Sequence, residues 1–298
     1  MRTPDYLKEG DRIAIVATAR KVTKQEMQPC IYILESWGLE VVLATNLYDT
    51  KDQFAGTDQG RSADLQAMLD DKQIKAILFA RGGYGTVRIV DLLDFKGFCE
   101  HPKWLIGYSD ITVLHSHVNK HCKVETVHGV MAINFVKDNH GVAGLKQTLF
   151  GEPLGFELQV NKLNRAGQSQ GRVVGGNLSL LYSLKGSISD AETAGKILFI
   201  EDLDEYLYHI DRMMTNLKRS GMLANLKGLI VGGMTDMNDN EIPFGKSAEE
   251  IIMDVLGAFD YPVCFGFPAG HVKRNMPLIL GREVQLNVTS SGTSINYH

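Results

Sequence analysis

Trp104-Leu105-Ile106-Gly107-Tyr108-Ser109-Asp110-Ile111-Thr112 joins a short apolar run to the start of a helical pattern. Trp104 to Tyr108 reads as a buried strand, and from Asp110 onward the spacing is that of a helix. Ser109 stands at the junction. In an open α/β sheet that junction lies at the carboxyl edge, where such sheets bind ligands. The free N–H groups of the following helix favour negative charge there. Both conditions suit a nucleophile that builds an oxyanion. The commoner role of a serine in this position is to cap the helix, and these nine residues alone favour the cap.

The flanking sequence repeats the same alternation. Arg12 to Thr18 reads as a strand, and Thr23 with Glu26 forms a capping box that opens a helix ending at Gly38. Leu39 to Ala44 is a second strand, Asp58 to Asp71 a helix with Leu65, Met68 and Leu69 inward, and Ile74 to Ala80 a third strand. Tyr84 to Leu93 and Ile111 to His121 read as helices, and Val124 to Val127 as a fifth strand. This order predicts a parallel sheet covered on both faces, a Rossmann-like α/β domain spanning residues 1–150.

A nucleotide cofactor is not expected. The turn after the first strand, Thr18-Ala19-Arg20-Lys21-Val22, has no glycine, and no G-x-x-x-x-G-K-[ST] loop occurs. The glycine-rich turn comes after the third strand instead, at Arg81-Gly82-Gly83-Tyr84-Gly85. Its N–H groups point out of the same sheet edge as Ser109, so one of them could be a second oxyanion donor. The bland alternative is a tight turn that needs glycine for its shape alone.

From Gly151 to Gly171 the chain is polar and rich in turn residues, which places a linker at 151–170. A second, smaller, mixed α/β and β-rich domain is expected over 171–298. Within it Lys196 to Ile200 reads as a strand, with Glu201-Asp202-Leu203-Asp204-Glu205 at its end. Tyr206 to Arg219 is an amphipathic helix, Gly228 to Met234 a strand, and Ser247 to Phe259 a helix. Pro262 to Phe267 leads to Pro268-Ala269-Gly270-His271, and Leu278 to Val288 suggests a closing hairpin through Gly281-Arg282. Glu201 and His271 stand out here, although a lone acid at a strand end or a lone loop histidine is usually unremarkable. With Ser109 they give the chain order Ser, acid, His, which α/β-hydrolases use on another fold.

Composition narrows the classes. The 298 residues are 44% hydrophobic, enough for a sizeable core, and the formal net charge of −4 leaves no basic footprint for nucleic acid or an anionic membrane. No apolar run is long enough to span a bilayer and no secretory leader is visible, so a cytoplasmic protein is expected. Cys30, Cys99, Cys122 and Cys264 have no paired spacing and read as free thiols. His117 and His121 are spaced to share a helix face and, with His115, raise the possibility of zinc, but the H-E-x-x-H glutamate is missing, with Val at position 118. No metal is expected.

Six motifs in this order resemble the LD-carboxypeptidases, serine peptidases also called muramoyltetrapeptide carboxypeptidases. They are Ala80-Arg81-Gly82-Gly83-Tyr84-Gly85, Gly107-Tyr108-Ser109-Asp110-Ile111-Thr112, Gly175-Gly176-Asn177-Leu178, Ile200-Glu201-Asp202, Ile210-Asp211-Arg212 and Pro268-Ala269-Gly270-His271. The resemblance runs over nearly the whole chain. It implies a catalytic set of Ser109, Glu201 and His271, and an oxyanion hole made by the backbone N–H groups of Gly83 and Asp110. It implies release of the terminal D-Ala from a murein tetrapeptide, at the bond after diaminopimelate, during cell-wall recycling, and a homodimer. No cofactor is implied. Arg81 is a candidate for holding the free carboxylate of a small peptide substrate, or else for pairing with an acid inside the protein. Tyr108 and Asn177 are candidates to line the pocket. The rival within the same fold is a microcin C self-immunity peptidase, which would cleave a peptide–nucleotide conjugate and for which extra loop length is expected. A non-catalytic peptide-binding protein is the rival outside enzymology.

Overall fold

The computed structural model describes residues 1–297. The first part of the chain runs β1 (Arg12–Val16), α1 (Lys24–Ser36), β2 (Glu40–Leu43), α2 (Asp58–Asp70) and β3 (Ile74–Phe79). It continues with α3 (Lys96–Glu100), β4 (Trp104–Gly107), α4 (Thr112–His121), β5 (Thr126–His128) and α5 (Asn139–Leu149). The second part runs β6 (Gly155–Leu158), β7 (Gly167–Asn177), α6 (Leu178–Ser183), β8 (Ile197–Leu203) and α7 (Leu207–Arg219). Then come β9 (Gly228–Thr235), α8 (Ala248–Val255), β10 (Val263–Cys264), β11 (Leu278–Leu280), β12 (Glu283–Thr289) and β13 (Gly292–Tyr297).

The expected parallel sheet is present, in the order β2-β1-β3-β4-β5. Its central strands are continuous apolar runs because helices cover both faces, and Trp104, Leu105 and Ile106 are fully buried. The order reverses between β1 and β3. A crevice opens at such a switch point, outside the carboxyl ends of the strands. The turn after β1 and the glycine turn after β3 flank it. The second sheet is mixed: β10-β9-β8-β7 are parallel, and β12, β13 and β6 extend the sheet antiparallel from β7. Its parallel half packs Ile210, Met213, Met214 and Leu217 of α7 against Ile251 and Ile252 of α8 over the strands.

Several elements differ from the sequence reading. The stretch expected to be a linker contains β6 and the first residues of β7, so it forms the outer part of the second sheet. Phe156 is buried between exposed Gly155 and Glu157, the alternation of a half-solvated edge strand, which polar composition disguised as loop. No hairpin forms through Gly281-Arg282. β11 leaves the second sheet and pairs antiparallel with β5 at the edge of the first, while β12 pairs with β7 and turns into β13 through Ser290-Ser291. Gly281, at φ +93°, makes the corner and donates to the Val173 carbonyl. Tyr84 to Leu93 forms two short 3-10 turns, Thr86–Arg88 and Val90–Leu92, instead of one helix. The cysteine reading also needs correction. Cys99 of α3 and Cys122 at the end of α4 are joined in a disulfide, while Cys30 and Cys264 are free and buried. Among the described residues no helix is long and apolar enough to cross a membrane.

Candidate active site

Ser109 does not cap a helix. After Gly107 the chain passes through an extended Tyr108 into Ser109 at φ +61°, then through a 3-10 turn into α4, and the turn has no side-chain cap. A left-handed backbone at a residue with a Cβ costs about 1–2 kcal/mol. A strained strand-to-helix turn is also what lifts a nucleophile clear of a sheet edge. Local packing holds the strain. A Cβ on Gly107 would come within 2.8 Å of Ile111, so glycine there lets the chain fold straight back. Asp110 is fully buried and accepts the Thr86 backbone N–H at 2.7 Å through Oδ2, which ties the serine turn to the end of the glycine turn. Burial pushes the Asp110 carboxyl pKa up.

The glycine turn lies directly against Ser109: a Cβ on Gly82 would sit 3.2 Å from the serine Oγ. Gly83 has φ +112° and Gly85 φ +151°. At Gly85 a Cβ would meet the buried Arg61 guanidinium at 2.5 Å, itself bound to the Thr18 carbonyl and Asp58. The Gly83 N–H has no hydrogen-bond partner among the described residues.

Glu201 lies at the carboxyl end of β8, with no exposed surface. Its Oε2 accepts two hydrogen bonds from His271, from the ring Nδ1 at 2.8 Å and from the backbone N–H at 3.1 Å. Nδ1 therefore carries a proton, and Nε2 has no hydrogen-bond partner among the described residues. Burial would raise the Glu201 carboxyl, but the imidazoles of His128 and His271 outweigh it and hold its pKa well below the ordinary range. Gly270, at φ +101°, lets the loop lie on Glu201, since a Cβ there would overlap the carboxylate. Asn275 holds the loop from behind. Its Oδ1 accepts from Gly270 at 2.9 Å, and its own N–H donates to Asp138 of the first part of the chain at 2.6 Å. Neither Asn275 nor Asp138 carries a motif that would have marked it.

Ser109, Tyr108, Gly83, Arg81, Asn177 and His271 all line one cavity of about 590 Å³. Glu201 and Asp110 sit behind its wall. No hydrogen bond joins Ser109 to His271; they share the cavity. The Tyr108 ring lies 4.9 Å from that of His271, and burial, with Glu201 nearby, raises the Tyr108 hydroxyl to about 12. Asn177 is fully engaged: it caps α6, and its Nδ2 donates to Asp202 at 2.8 Å. Its role is to shape the wall. Arg81 is only loosely paired, 3.9 Å from Glu26, and it remains more than a third exposed. Arg20 and Lys137, which no sequence motif singles out, add two more cations from the first part of the chain. Asp204 and Glu205 line the cavity from the second part.

The rings of His117 and His121 lie 4.6 Å apart, centre to centre, but the three histidines of α4 do not share one site. His115 is turned inward onto the Gly107 carbonyl, while His117 and His121 hydrogen-bond Ser189 and the Ile188 carbonyl. Among the described residues no group of three His, Cys, Asp or Glu side chains could hold a metal ion. A serine on a strained turn, an imidazole with a free Nε2 backed by a carboxylate, and an unpaired backbone N–H are together the groups needed for acyl transfer.

Residues 13–129 match the sequence pattern of the LD-carboxypeptidase N-terminal domain, and residues 170–286 that of its C-terminal domain. A Bacillus subtilis protein described as a probable murein peptide carboxypeptidase is 34% identical, over 98% of this chain and 93% of its own length. The crystal structure of muramoyltetrapeptide carboxypeptidase from Oxalobacter formigenes superposes with a TM-score of 0.88 at 26% identity, covering 96% of this chain and 98% of that one. The microcin C7 self immunity protein MccF superposes with a TM-score of 0.87 over 99% of this chain and 98% of that one, but at 21% identity, which speaks for the fold alone.

Proposed function

The chain is a carboxypeptidase of the LD-carboxypeptidase family, and from that premise we propose that it releases the terminal D-Ala of a murein tetrapeptide, cleaving the L,D bond after diaminopimelate, with Ser109 as nucleophile. The observation that carries the reading is the double hydrogen bond from His271 to Glu201, which leaves Nε2 free in the cavity that Ser109 lines.

Chemically, His271 Nε2 takes the Ser109 proton as Oγ attacks the scissile carbonyl. Glu201 keeps the ring oriented and stabilises the imidazolium. The oxyanion forms against the N–H groups of Gly83 and Asp110. Losing one such donor typically costs about 100- to 1000-fold in rate. His271 then protonates the D-Ala amine, and water enters in its place to hydrolyse the acyl-enzyme. Arg81, with Arg20 and Lys137 nearby, offers positive charge to the free carboxylate that defines a carboxypeptidase substrate. Asp204 and Glu205 offer negative charge to an amine on the peptide.

The test is D-Ala release from a purified murein tetrapeptide by wild type and by Ser109→Ala, with a D,D-terminated peptide as control. Release by wild type alone, on the L,D peptide alone, is expected. Release that survives the substitution would remove Ser109 as nucleophile. Inertness toward the tetrapeptide with hydrolysis of an acyl-sulfamoyl-adenylate would move the chain to the self-immunity peptidases.

A further inference from the structure

Glu201 has a second oxygen that the mechanism above does not use. Oε1 is buried and has no hydrogen-bond partner. Close to it is His128, the last residue of β5, whose Nε2 lies 3.8 Å away. His128 is fully buried, and neither of its ring nitrogens has a partner. Three polar atoms in this buried region are thus without partners, and two of them, Nε2 and Oε1, lie 3.8 Å apart, although buried polar groups are nearly always satisfied. No other group lies within hydrogen-bond distance of the His128 ring nitrogens, the equally unpartnered His115 Nδ1 included. The Phe199 ring lies 4.9 Å off and nearly perpendicular, and Tyr108 5.9 Å off, centre to centre. The His115 ring is 6.5 Å away with its Nε2 committed to Gly107, and burial lowers its pKa to about 3, which keeps it neutral.

Only one tautomer suits this arrangement. With the proton on Nδ1, a buried donor would go unpaired and the Nε2 lone pair would face the carboxylate. With the proton on Nε2, the ring donates to Oε1 and satisfies two of the three orphans after a movement of under an ångström. We propose that His128 is a positioning residue for Glu201: its Nε2–H donates to Oε1 and holds the carboxylate while Oε2 serves His271. The inference rests on the assignment of Glu201 and His271 above.

The register of the sheets gives the bond a further consequence. His128 pairs with Gly107, two residues before Ser109, so it belongs to the sheet that carries the serine. Glu201 belongs to the sheet that positions the histidine. The bond sets the spacing between them from inside, beneath the floor of the cavity.

The experiment compares His128→Phe and His128→Gln with wild type in D-Ala release across pH, and follows the His128 tautomer by 15N NMR in wild type and Glu201→Gln. Phe keeps the bulk and removes the donor. It should lower kcat about 10- to 100-fold with KM little changed, the loss expected for a hydrogen bond to a charged group. It should also move the acid limb of kcat/KM to higher pH, because an undonated Oε1 leaves more negative charge to favour the imidazolium. Gln restores a donor and should recover most of the rate. NMR should show the Nε2–H tautomer in wild type and its loss in Glu201→Gln, whose amide turns a donor toward the ring. A wild-type profile for His128→Phe would overturn the proposal, as would equal defects in both variants or an Nδ1–H tautomer. The NMR result is independent of turnover, so an inert enzyme with the expected tautomer would refute the substrate and spare His128.

Discussion

The Thr86 backbone N–H donates to Oδ2 of Asp110 at 2.7 Å, so the residue that follows Ser109 is tied to the far end of the glycine turn. The two N–H groups that would share the oxyanion, those of Gly83 and Asp110, are thereby held to each other through one buried carboxylate. Asp110→Ala should leave the Thr86 N–H unpaired, lower stability by about 1–3 kcal/mol and reduce kcat. Asp110→Asn keeps an acceptor and removes a buried charge, so it should hold both near wild type. Denaturant unfolding and turnover of the two variants side by side check this.

Glu201→Gln separates orientation from charge. The amide oxygen can still accept both N–H groups of His271, but the charge that would stabilise an imidazolium is gone. We expect a drop in kcat of at least about 100-fold without unfolding, and a fall toward about 10 000-fold for Glu201→Ala, which also frees the ring. Equal activity of Glu201→Gln and wild type would remove Glu201 from the mechanism.

Gly83→Ala forces a side chain onto φ +112° and against the Arg20 arm at 2.7 Å. The arm is flexible and can yield; the backbone cannot. The rate should fall about 100- to 1000-fold with KM nearly unchanged. The Arg20→Ala/Gly83→Ala double variant should not recover kcat. If it does, the collision rather than the displaced N–H was responsible.

Arg81→Ala should raise KM about tenfold or more on a peptide with a free terminal carboxylate, and change little on the same peptide amidated at that end. Equal effects on both peptides would return Arg81 to its loose pairing with Glu26.

Asp202 gives the fold a pH signature. Burial, then the neighbouring Glu201, raises its carboxyl to about 7, although Asn177, Leu203 and Ser179 all donate to it. An unfolded aspartate titrates near its ordinary value of about 3.9. Between roughly pH 4 and 7 the folded chain therefore holds a proton that the unfolded chain has lost, and this residue's contribution to stability declines as pH rises through that window, by up to about 1.4 kcal/mol per unit. Unfolding of wild type and Asp202→Asn at several pH values, taken as a difference, should show that slope. A flat difference would place the Asp202 carboxyl in the ordinary range.

What the sequence made legible follows from physics that is local. β1, β3 and β4 are continuous apolar runs because both faces are covered, and such runs announce themselves. Ser109 could be singled out because a strand and a helix meet at it. Distant neighbours decided the rest. β6 alternates only weakly and reads as loop until β13 is beside it. Three apolar residues, Leu278 to Leu280, do not say which sheet they will join. Cys99 and Cys122 are 23 residues apart with nothing in their spacing to pair them; the ends of α3 and α4 bring them together. Asp138, Asn275 and His128 likewise act through partners far along the chain, so no motif contains them.

β11 returns from the second sheet to complete the first, where it covers the open edge of β5. The molecule therefore resists being cut into independent parts. A gene truncated after residue 150 would encode the serine-bearing half without its last strand, leaving Thr126 to His128 as an unpaired strand edge that invites self-association. A complementing fragment would have to bring Leu278 to Leu280 with it.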